Sequence, residues 1–261
     1  MKPVMPYDND ALLRQRFNDA VKDGRPAEIV RLSNLWEINA ARGQKELDER
    51  VEELFWLATL LLAGSGKPGR KPRLDFFLMH ILNASLFLPS LLRALPSIES
   101  RVTLLRAYIP VVLIYLTVRG RPRINPELMM SFTEVPRPPV KLNAQPDEGC
   151  IGDPRVDVNV NPWPEIIASV VHAPDAHTVK AVRSLYYAAQ KYGTTPAGAV
   201  IGAFRPDGSE THEGIAKVDG TIFVRAAGVV MEALGWVSHG QKEGSWDRSG
   251  LGWDDAWKNE D

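Results

Sequence analysis

The sequence predicts a mainly α fold, a multi-helix orthogonal or bundle-like array with long irregular connections. Three observations predict it. Apolar residues recur at helical spacing in segment after segment. No run alternates as a half-buried strand does. Residues 134–164, rich in Pro, Asn and Asp, show no period, as a long irregular connection would.

The first helix is expected over residues 8–22, with Leu12, Leu13, Phe17, Ala20 and Val21 on one face. Gly24 and Pro26 punctuate it, and a second amphipathic helix is expected over 27–38. A third covers 45–63: charges crowd its first turns, and then FWLATLLL is almost wholly apolar. A loop at 64–72 leads to LDFFLMHILNASLFLPSLL, residues 74–92, around which the chain is expected to be organised. That stretch is apolar on nearly every face, which predicts a helix buried among other helices. His80 sits at its middle, and a buried imidazole must find a hydrogen-bond partner or a metal. Asp75 is placed to serve the helix N-terminus.

A further helix is expected over 99–118, ending at the basic GRPR loop around Gly120, and a short one near 125–132. Pro174 and Asp175 open, and Gly193 closes, a strong helix. The last helix, 221–234, carries Phe223, Val224, Ala227, Val230 and Met231 as its stripe, before a Trp- and Gly-rich tail. The expected organisation is one helical domain over 1–261: core helices at about 8–119, an irregular linker at about 134–164, and C-terminal helices at 174–237.

A chain of 261 residues with 44% hydrophobic side chains can bury a sizeable core. Its 31 Lys and Arg against 32 Asp and Glu make no electrostatic case for nucleic acid or an anionic membrane. The apolar run at 109–118, bounded by Arg106 and Arg119, is too short to span a bilayer and reads as core. The single Cys150 excludes an intrachain disulfide and fits a reducing compartment. The opening MKPVMPYDND carries no secretory pattern, so a cytoplasmic location is expected.

Among candidate motifs, GSGKPG at 64–69 matches GxGxxG, but it follows a helix rather than a strand and contains Pro68. It therefore reads as a flexible basic loop rather than a dinucleotide site. Asn83-Ala84-Ser85 is formally a glycosylation acceptor, set aside because it lies in the most buried-looking helix. There is no nucleophile elbow, no HExxH, and no Cys or His cluster of zinc-site spacing. His172 and His177 bracket a helix start in VHAPDAHTVK, and His177 shares a helix face with Lys180. His80 with His177 would supply two imidazoles to a metal. On spacing alone, HAPDAH reads as readily as the capped start of a surface helix. His212 and His239 lie in polar, Gly-bearing contexts and are expected to be solvated.

LDFFLMHILNASLFLPSLL preceded by GKPGRKP, then HAPDAHTVKAVRSLYYAAQKYG, DGTIFVRAAGVVMEALGW and the closing GWDDAW together resemble the questin oxidase-like family, from about Met5 to Trp257. The resemblance implies a mainly helical oxidoreductase of fungal-type secondary metabolism. Its expected reaction is a Baeyer–Villiger-type monooxygenation that opens the ring of an anthraquinone or related aromatic polyketide, using molecular oxygen and NADPH. The implied centre is a mononuclear non-haem iron held by histidines and a carboxylated lysine, without flavin. Carried onto this chain, His80 and His177 become metal ligands, Lys180 the carbamate-forming lysine, and His172 a supporting or alternative ligand. Family members extend further at the N-terminus, where an HNHxxH-like cluster supplies more ligands, whereas this sequence has no histidine before His80. The alternative expectation is a truncated, catalytically inactive helical scaffold or partner-binding member, self-associating through apolar helices left uncovered.

Overall fold

The computed structural model describes residues 5, 7, 13–139, 146–153, 156–157 and 160–258. Among these, ten α-helices and no named strand are found, so the mainly α expectation holds. The helices are α1 Leu13–Ala20, α2 Arg25–Ser33, α3 Gln44–Ala63, α4 Phe76–Ser85 and α5 Leu88–Ala94. They continue as α6 Ile98–Val118, α7 Pro126–Ser131, α8 Trp163–Val170, α9 Ala176–Tyr192 and α10 Ile222–Leu234. The expected first turn of α1, residues 8–12, and parts of the 134–164 connection lie outside the described residues.

The hub is α3 rather than the 74–92 stretch, for α3 packs against α4, α5, α6, α7, α9 and α10. It has the composition for that position. No Gly or Pro interrupts it, Gly43 and Gly64 flank it, and its second half is apolar all round. Leu54, Phe55, Trp56, Ala58, Leu61 and Leu62 are buried, and Trp56 stacks at 4.6 Å on Phe223 of α10. Its charged first turn is tied down by Glu46, buried between Arg42 and Arg50.

The 74–92 stretch is two helices, α4 and α5, bent by 42°. Pro89 explains the break. It has no N–H to give the carbonyl of Ser85, and its ring would collide with that carbonyl in a continuous helix. Leu88 and Leu92 thereby turn into the core, while Phe87 (56%) and Leu91 (47%) stay exposed. Helix α2 ends at Ser33, earlier than expected, because Asn34 caps it. Helix α7 is capped by Asn125, whose side chain accepts from Leu128 N–H. Helix α8 was not foreseen: Pro164 and Glu165 occupy its first turn and Ile166 and Val170 its buried face.

Helix α6 is long and apolar enough to cross a membrane by length and composition. It also carries Arg101 and Arg106 and packs against α1, α2, α3, α4 and α5, as a helix of a globular array does. The Trp-rich tail straps two helix ends together. Phe76 N–H donates to Asp247 O and Asp247 N–H to Leu74 O, both at 2.8 Å, clipping the tail to the start of α4. Trp253 lies on Gly120 at the end of α6. A Cβ at Gly120 would sit 2.5 Å from that indole, so only glycine admits the approach.

Candidate functional site

Two helix N-terminal regions meet at the candidate site. Asp75 caps α4, accepting from Phe77 N–H at 2.8 Å and Leu78 N–H at 3.2 Å, as its position after Pro72 predicts. It also forms a buried ion pair with Arg119 at 2.7 Å, with the two side chains 0% and 1% exposed. Burial pushes the Asp75 carboxyl upward, and Arg119 with the two amides offsets this only in part. Arg119 lies over the Phe77 ring, 4.6 Å from its centroid. The first turn of α4 is thus fixed from below, and His80 projects one turn further on.

His80 is half-buried rather than sealed in the core. Its partner is local: Nδ1 lies 2.8 Å from Phe76 O. A carbonyl only accepts, so this contact places a proton on Nδ1, and it is Nε2 that carries the lone pair of the neutral ring. His177 arrives at the same state by another route. Asp175 caps α9, its Oδ1 accepting from His177 N–H at 2.8 Å and from the ring Nδ1 at 2.7 Å. Burial pushes the Asp175 carboxyl up, but these two hydrogen bonds and the nearby Arg248 charge outweigh it and hold it below the ordinary range. The ring proton of His177 is therefore also on Nδ1.

Packing of α4 on α9 brings the two imidazoles together, with centroids 5.4 Å apart and planes 55° from parallel. The Phe76 ring lies edge-on to both, at 4.9 Å from each. Arg248 covers the Phe76 ring, its guanidinium carbon 3.7 Å from the centroid. Among the described residues neither Nε2 has a hydrogen-bond partner. An imidazole whose Nδ1–H is held by a carbonyl or carboxylate, with Nε2 open, is the usual arrangement of a metal-binding histidine.

The other expected ligands are placed differently. Lys180 follows His177 by one turn and is exposed rather than turned in beside the two imidazoles. His172 is exposed in the turn between α8 and α9, its N–H donating to Ser169 O at 3.1 Å. No group of three His, Cys, Asp or Glu side chains able to hold a metal occurs among the described residues. The residues present fit two positions of a coordination sphere, not a whole one. His212 is exposed, with Nε2 2.7 Å from Ile124 O. His239, expected to be solvated, is partly buried against Trp236. The GSGKPG loop follows α3, and Gly64 O accepts from Asn125 N–H at 2.8 Å, which ties it to the start of α7.

Asp175 was legible as a helix opener, but its second role as the carboxylate behind His177 follows only from the Asp-Ala-His spacing seen in three dimensions. Phe76 and Arg248 carry no sequence signal for a site.

Residues 2–185 match the family model described as questin oxidase-like. The matched span contains His80, His172, His177 and Lys180 and ends within α9, so the likeness noted at 219–236 and in the tail lies outside it. A Baeyer-Villiger oxidase, AgnL3, from Paecilomyces divaricatus is 24% identical over 144 residues, covering 54% of this chain and 27% of the relative. The alignment thus spans about a quarter of that relative's length.

Proposed function

The chain belongs to the questin oxidase-like family, and from that premise we propose that it acts in Baeyer–Villiger-type oxidative ring opening at a non-haem iron. The proposed substrate is an anthraquinone or related aromatic polyketide, with molecular oxygen as oxidant, NADPH as reductant and no flavin. The likeness to the Baeyer-Villiger oxidase from Paecilomyces divaricatus supports the reaction type. The observation that carries the metal is the His80–His177 pair with both Nδ1 atoms engaged and both Nε2 atoms open.

Iron, when bound, would supply Lewis acidity and dioxygen activation beside a ring carbonyl. The protein's part is to aim and shield. Phe76 O and the Asp175 carboxylate fix the tautomer and orientation of the two ligands. The Phe76 ring walls the pair on one side. Lys180, one turn beyond His177, would join as a carbamate if it folds inward, with His172 as the alternative donor.

The test is anaerobic loading with ferrous iron followed by elemental analysis. We expect about one iron per chain, and at least a tenfold loss of affinity in both His80→Ala and His177→Ala. Iron content that is negligible, or unchanged in both variants, removes the oxidase reading. A second reading, a catalytically inactive scaffold that binds a partner or itself, is favoured by the exposed Phe87 and Leu91 of the α4–α5 bend. Iron-free protein that sediments as a dimer, and reverts to a monomer in Leu91→Glu, is the outcome that selects it.

A further inference from the structure

A cavity of about 300 Å³ lies between α3, α6 and the 200–215 loop and shares no residue with the histidine pair. We propose that it binds a neutral, apolar ring compound that donates a hydrogen bond to Glu53. The walls are Trp36, Trp56, Leu57, Ile109 and Ile201, a mostly apolar lining with two indoles suited to a flat ring.

Thr211 and His212 also line the cavity, but Thr211 Oγ1 donates to Ala203 O and His212 Nε2 to Ile124 O, so Glu53 is the polar group left to orient the occupant. Its Oε2 accepts from Trp36 Nε1 at 2.9 Å and from Arg50 Nη1 at 2.7 Å, so the carboxylate is held in place. Arg50 is itself held by Glu46 at 2.9 Å and lies over the Trp36 ring, 5.8 Å from its centroid. Oε1 accepts no hydrogen bond among the described residues. It faces the turn at Gly202, whose φ of +78° and missing side chain let the loop close over it; a Cβ there would lie 3.1 Å from Oε1. The free acceptor selects a donor; an anion such as a carboxylate brings only lone pairs to it and gains no hydrogen bond there. Because Arg50 already neutralises the Glu53 charge, a neutral hydroxyl suits the site better than a second cation.

The site is separate from the iron reading, and the experiment keeps them separate. Full-length protein is titrated calorimetrically at neutral pH with 2-naphthol, 2-methoxynaphthalene and 2-naphthoate. We expect saturable 1:1 binding of 2-naphthol, about tenfold or more tighter than the methyl ether, as a hydrogen bond to a charged acceptor provides. Naphthoate is expected not to bind. Ile201→Trp, which fills the cavity, should abolish binding with the far-ultraviolet circular dichroism unchanged, and His80→Ala should leave every titration as in wild type. Equal affinities for the alcohol and its ether overturn the assignment to Glu53. No saturable binding to wild type, or full binding to folded Ile201→Trp, overturns the site. If Ile201→Trp does not fold, Glu53→Met decides: the preference for the alcohol must fall to parity, and its persistence refutes the proposal.

Discussion

His177 takes its geometry from one carboxylate oxygen, since Asp175 Oδ1 accepts both its backbone N–H and its ring Nδ1–H. The same contact caps a helix and presents Nε2, so structure and chemistry are coupled in a single side chain. Asp175→Asn keeps an acceptor for the cap and removes the charge that holds the tautomer. Ferrous-iron affinity is expected to fall about 10- to 100-fold while the fold is retained; unchanged affinity by competitive titration would separate Asp175 from the metal. The pH sense follows from the depressed carboxyl. Its contribution is present above the ordinary carboxylate range and is lost as the pH falls through the lowered value.

At the scale of elements, α4 is fixed from both ends by different means. Pro89 stops it at Ser85, and the buried Asp75–Arg119 pair seats its first turn. Removing one partner of a buried pair leaves the other charge stranded, which costs about 3–5 kcal/mol. Asp75→Asn, which can still cap, is expected to lose stability in that range by urea denaturation. Asp75→Ala should lose about 1 kcal/mol more, for the cap. Equal losses in the two variants would mean that the cap contributes nothing beyond the pair. Both changes should also blunt iron binding, because His80 lies one turn from the seat.

At the scale of the molecule, the tail closes the array by joining residues far apart in sequence. Arg73 donates to Asp247 Oδ2 at 2.8 Å and to Ala256 O at 2.6 Å, Arg70 reaches Trp257 O, and Trp253 Nε1 donates to Met5 O at 2.7 Å. Trp253→Ala should cost about 3–5 kcal/mol and free this strap. Trypsin is then expected to cut at the exposed Arg248 faster than in wild type while the α3-centred core resists. A cutting rate equal to wild type would show that the strap holds without the indole.

Periodicity determined the helices, because a 3.6-residue stripe is written locally: α3, α6, α9 and α10 lie where the apolar spacing puts them. Capping residues determined several ends, Asp75, Asn125 and Asp175 among them. The sequence likewise singled out His80 and His177 as two imidazoles. It misplaced the hub at 74–92, read that stretch as one unbroken helix, and missed α8, since all-round apolar segments do not say which neighbour covers which face. Only the tertiary structure decided that α4 and α9 pack together and set the two rings 5.4 Å apart with their Nε2 atoms open, while Lys180 faces out. The reason is physical: a residue's helical state is set within a few turns of chain, whereas the convergence of donors from helices about a hundred residues apart depends on how the whole array packs.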